Sequence, residues 1–144
     1  MNNIAKSMVS GFAATAVLSI LMIMKMKMGV MPDLNVIKMM SKMAHGMMGT
    51  PVTPVIGWVM HFLIGTVAWG GLFAIIGKSL PGDSYIIKGL LFGILAWVLM
   101  MVMVMPMAGA GFFGLSLGMM APVMTLMLHL VYGAVLGGVF AKLK

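Results

Sequence analysis

From Ser7 to Met24 the chain runs 18 residues without a charged side chain, and three more apolar stretches near residues 55–77, 86–106 and 119–141 hold only Lys88. A helix rises about 1.5 Å per residue, so each stretch is long enough to cross a hydrocarbon core of about 30 Å. No water satisfies backbone groups inside that core, which leaves the helix as the form for an isolated apolar stretch. Composition agrees, with 62% hydrophobic and 8% charged residues against about 25% charged in soluble domains. The expectation is an all-α polytopic membrane protein, a single domain over residues 1–144 with transmembrane helices at about 7–27, 55–77, 86–106 and 119–141. The first stretch exceeds a secretory h-region and no small-residue cleavage site follows it, so it reads as an uncleaved helix.

Nine lysines, two aspartates and no arginine give the net charge of +7. The lysines sit between the apolar runs, where ammonium groups reach headgroups and anionic lipid, so they imply a bilayer as partner and not nucleic acid. With both termini cytoplasmic, Lys6, Lys78, Lys88, Lys142 and Lys144 lie inside and Lys25, Lys27, Lys38 and Lys42 outside. Five lysines against four decide little, and the uncharged third loop, easy to translocate, sets the expected orientation, both termini inside and multi-pass in a cell's inner (plasma) membrane. Between the first two spans, Gly29, Pro32 and Asp33 interrupt the apolar run. Asn35, Lys38, Lys42 and His45 then recur at helical spacing opposite Val36, Ile37, Met40 and Met43. This predicts a short amphipathic helix at about 34–45 lying in the interface, capped by Asp33 and closed by Gly46 and Gly49. Pro106 and the glycine-rich residues 108–114 should end the third helix.

Small residues recur on every span: Gly11, Thr15 and Ser19; Gly57 and Gly65; Gly89 and Gly93; Gly133 and Gly137. They predict close helix contacts, since lipid supplies no hydrophobic drive for association. Sliding the chain by 68 residues aligns Pro54 with Pro122, His61 with His129, Gly65 with Gly133 and Gly70 with Gly138. The even-numbered helices therefore share a Pro-x6-His-x3-Gly-x4-Gly frame, and the chain reads as a duplicated two-helix hairpin. The odd-numbered helices support it weakly, because Gly11 with Gly89 needs another offset. With proline in the first turn of each helix, both imidazoles lie about 10 Å below the same face.

An ionisable residue at that depth is a candidate site. One reading makes His61 and His129 interhelical hydrogen-bond donors, with Thr125, Thr66 or a free carbonyl as acceptor. The other makes them ligands. Two imidazoles from facing helices suit a b-type haem for electron transfer, with Gly65 and Gly133 leaving room for the macrocycle. Copper(I) is the second candidate, given 22 methionines and no cysteine. No methionine shares a helix face with either histidine, so thioethers would come from the first or third helix, for instance Met100 or Met103. Zinc wants more ligands than two histidines supply. His45, between Met43 and Met47-Met48, resembles a copper-capture segment, or is a polar residue on an interfacial helix. Enzymatic constellations are missing: Asp33 and Asp83 are the only acids, in loops on opposite faces, and no paired carboxylates or nucleophile triad can form.

Gly57-Trp-Val-Met-His-Phe-Leu-Ile-Gly65, Met105-Pro-Met-Ala-Gly-Ala-Gly-Phe112 and His129-Leu-Val-Tyr-Gly133 together resemble an uncharacterised family of small bacterial four-helix inner-membrane proteins. The resemblance implies fold and membrane location and brings no activity. Three functions compete: a haem- or copper-binding module, an accessory or scaffold subunit of a larger membrane complex or homo-oligomer, and a small permease. Against the permease, the spans carry no acidic residue to mark an ion path.

Overall fold

A computed structural model gives the fold of residues 2–29, 35–107, 109 and 111–143, the described residues below. The helices are α1 (Asn3–Met28), α2 (Val36–Met48), α3 (Pro54–Ser79), α4 (Tyr85–Met107) and α5 (Met120–Leu143). All but α2 are long and apolar enough to cross a membrane. The chain is thus an all-helical, multi-pass membrane protein, and each span lies within a few residues of its expected place.

Local chemistry sets the helix starts. The Asn2 side chain accepts from the Ala5 N–H at 2.8 Å, so α1 begins four residues before Ser7. Thr53 and Ser84 accept from the Ile56 and Ile87 N–H groups and start α3 and α4. Asn35 accepts from the Lys38 N–H at 3.0 Å, which makes it the cap of α2. The expected cap, Asp33, lies outside the described residues, as do Pro32 and Lys144. Gly46 sits inside α2, and Gly49 alone closes it at φ 69°. Beyond α4, Gly109, Gly111, Gly114 and Gly118 all adopt positive φ, so the glycine-rich stretch cannot continue the helix.

The spans associate through glycine. A Cβ added to Gly89 would meet the Gly133 carbonyl and lie 2.9 Å from Gly137 Cα. One added to Gly11 would lie 2.6 Å from the Gly65 carbonyl oxygen and 3.3 Å from Gly70 Cα. Gly11 therefore meets Gly65 as Gly89 meets Gly133, and the odd helices join the repeat with their own offset. One alignment needs correcting: Gly70 occupies the place of Gly137, not of Gly138. Residues Ile64–Ala68 form a π-turn in α3, which inserts one extra residue between Gly65 and Gly70. Gly57 is not a contact between spans. A Cβ there would meet the Ile37 carbonyl, so it is the seat of α2 on α3.

The apolar face of α2 is covered by protein rather than left for lipid. Its Met39, Met40 and Met43 join Met100, Met101 and Met105 of α4 in one buried cluster. Toward the opposite end lies an aromatic cluster, in which Phe73 packs edge-on against Phe92 at 5.3 Å and Phe140 at 5.5 Å. Lys25, expected at the headgroups, is only 8% exposed.

Candidate functional site

Pro54 opens α3 and Pro122 stands in the first turn of α5. The shared frame then brings His61 and His129 to the wall of one cavity of about 50 Å³. The cavity lies between the methionine and aromatic clusters. Two π-turns border it: Ile64–Ala68 supplies Ile64 and Gly65, and Met100–Val104 supplies Met100.

The hydrogen bonds assign the imidazole tautomers. Ser19 donates its hydroxyl proton to the Thr15 carbonyl at 2.7 Å, so its oxygen, 3.2 Å from His61 Nε2, accepts from that nitrogen. His61 is therefore protonated at Nε2 and keeps its lone pair on Nδ1. His129 Nδ1 stands 2.8 Å from the Thr125 carbonyl, which can only accept, so the lone pair of His129 is on Nε2. Each ring thus has one N–H tied to the protein and one nitrogen with a free lone pair. This is how proteins orient histidines that bind metals.

The interhelical hydrogen bond expected of both histidines is made by His61 alone, to Ser19 on α1, whereas His129 bonds one turn back within α5. Ser19 serves His61, and the Thr125 backbone, not its hydroxyl, serves His129. The Thr125 hydroxyl donates instead to the Ala121 carbonyl at 2.7 Å. The Thr66 hydroxyl is buried without a partner among the described residues. Tyr132, 2% exposed, donates to the Gly65 carbonyl at 2.5 Å and ties α5 to the π-turn of α3.

Thioethers complete the wall: Met22 from α1, Met40 from α2, Met100 and Met105 from α4. Of the two methionines expected, Met100 lines the cavity and Met103 faces outward, 57% exposed. His45 is not part of the site. It is exposed, and its Nδ1 lies 2.7 Å from the Thr50 carbonyl beyond the end of α2.

Gly65 and Gly133 do not leave the room a haem needs. A Cβ on Gly65 would meet Thr15 Oγ1, and one on Gly133 the Gly89 carbonyl, so other helices already fill both places. A cavity of about 50 Å³ admits a few atoms, whereas pockets for molecules of drug or cofactor size run to about 300–1,000 Å³. Among the described residues no three His, Cys, Asp or Glu side chains gather to hold a metal ion. The donors at this site are imidazole and thioether.

Ser19 was legible as a small residue at a helix contact and not as the partner of His61, and Tyr132 only as a polar side chain at i+3 from His129. Met22 and Met105 carried no mark among 22 methionines. Met40 depends on where α2 docks.

The model of a family of unknown function, DUF6789, matches residues 1–144. No curated protein matches the chain, and no solved structure does.

Proposed function

We propose that this chain, which belongs to the DUF6789 family of unknown function, binds a soft monovalent metal ion, copper(I), between its membrane helices. One observation carries the reading: two imidazoles with defined lone pairs and four methionine thioethers line a single cavity of about 50 Å³. Thioether and imidazole together select cuprous copper. Charge points the same way. The spans hold no carboxylate, so a divalent ion would keep both charges in a low-dielectric interior, while a monovalent ion keeps one. Among the expected cofactors copper thereby takes precedence over haem b. The role that follows is non-enzymatic: holding a cuprous ion in a membrane. With both termini on the cytoplasmic side of an inner membrane, the orientation that the uncharged third loop favours, α2 and the methionine cluster lie toward the outer face.

The test is metal binding by the detergent-purified protein under reducing conditions. We expect one copper(I) per chain, displaced by silver(I) and not by zinc, with sulfur and nitrogen scatterers in X-ray absorption. His61→Ala and His129→Ala should each weaken retention. A wild-type protein that retains no copper(I), or variants that both retain it as well as the wild type, overturns the proposal. A Soret band in protein isolated from haem-sufficient membranes returns the site to haem.

A further inference from the structure

Resting on that copper(I) reading, we infer that the ion reaches the histidine site from the face that carries α2, passing through the buried methionine cluster as a relay of thioethers. Three methionines belong to both structures: Met40, Met100 and Met105 line the cavity and are also members of the cluster. The cluster continues away from the cavity through Met39, Met43 and Met101, which do not line it. Past Met43, α2 ends with Met47 and Met48, 61% and 62% exposed, beside the exposed His45. Soft donors therefore run from an exposed helix end to the buried imidazoles.

Among the described residues the opposite end offers no such route. The cluster there consists of Ala14, Phe73, Phe92, Ala96, Tyr132, Leu136 and Phe140, without a thioether. A desolvated cation would leave its ligands to cross it, at the cost that lipid-like surroundings impose on any bare charge. Along the relay each step forms one copper–sulfur bond as another is released. At the last step copper–nitrogen bonds to His61 and His129 would form as copper–sulfur bonds to thioethers of the cluster are released, those of Met40, Met100 and Met105 lying at the cavity wall. The ion stays cuprous throughout, so no electron is exchanged and no redox partner is needed. Methionine as plain core filler would also cluster, but a filler has no bearing on the rate at which an ion enters a neighbouring site.

The experiment is stopped-flow transfer of copper(I) from its bicinchoninate complex to the full-length protein in detergent. It compares the wild type with a Met39→Leu/Met43→Leu/Met101→Leu variant. Leucine keeps volume and apolarity, so packing is largely preserved. We expect loading about tenfold slower, equivalent to about 1.4 kcal/mol on the barrier, with final occupancy unchanged. A control changing the outward-facing Met103, Met119 and Met127, 57%, 85% and 58% exposed, should load at the wild-type rate. Equal slowing in the control overturns the relay, as does an unchanged rate in the cluster variant, and in either case the copper site stands. Absence of copper binding by the wild type overturns both proposals. Should the triple variant lose its helical circular dichroism, Met43→Leu alone carries the test. Slower loading then supports the relay, and an unchanged rate overturns it.

Discussion

The α4–α5 seam and the α1–α3 seam begin from the same glycine pattern and end differently. Between α4 and α5, Gly89 and Gly93 face Gly133 and Gly137, and backbone meets backbone at those glycines. Between α1 and α3 the place of Gly93 is taken by Thr15, whose hydroxyl lies over Gly65, and the π-turn adds a residue before Gly70. At those glycines the first seam has no side-chain volume to change. The second trades part of its closeness for a hydroxyl, a widened turn and a carbonyl that Tyr132 can reach, and the cavity opens beside it. The α1–α3 seam therefore carries its π-turn inside the glycine contact itself, whereas α4 places its own, Met100–Val104, beyond its glycines, and the site forms between the two. Unusual helical turns often mark function in this way.

The largest effect should come from forcing the closed seam apart. Gly133→Leu places a branched side chain against the Gly89 carbonyl, and we expect a loss of at least about 1–3 kcal/mol, the usual cost of overpacking. Gly71→Leu, at a position with open space around the added Cβ, should be nearly neutral. Unfolding of both variants in mixed micelles checks this, and equal stability would remove the distinction between seam and surface.

A sharper version compares Gly65→Ala with Gly133→Ala. The new methyl on Gly65 meets the Thr15 side chain, whereas on Gly133 it meets backbone. Both should destabilise, but Thr15→Gly should restore part of the loss only for Gly65→Ala, because a side chain can be removed and a carbonyl cannot. A double-mutant cycle measures the coupling. No coupling between positions 15 and 65 would mean that Thr15 does not close the first seam.

The smallest expected effect is that of Tyr132→Phe. The repeat aligns Tyr132 with Ile64, so its hydrogen bond to Gly65 has no counterpart in the other hairpin. Its loss should cost about 0.6 kcal/mol, the average measured for interhelical hydrogen bonds in a membrane protein, and no more than about 1.7 kcal/mol. A variant as stable as the wild type would show that the phenol does not tie the hairpins together.

Much of this architecture was written in the sequence because the bilayer acts locally. Any run such as Ser7 to Met24 must become a spanning helix whatever its neighbours do, and Pro54 and Pro122 place His61 and His129 at equal depth by helix geometry alone. Capping is just as local, since a cap needs only the next three residues, yet Asp33 was the one cap expected, and Asn2, Thr53 and Ser84 came from the structure. The space beside a glycine is not local. Gly65 and Gly133 read alike in the sequence, and only the helix lying across each showed that Thr15 and Gly89 fill the gap a haem would need. Nor could the 3.6-residue period reveal the π-turn at Ile64–Ala68, a one-residue insertion that leaves composition unchanged yet moves Gly70 into the place of Gly137. The amphipathic face of α2 was visible, but its partner was not. Whether Met40 faces lipid or joins Met100 and Met105 beside two histidines depends on how α2 docks at Gly57 on α3, a contact between segments that no local spacing encodes.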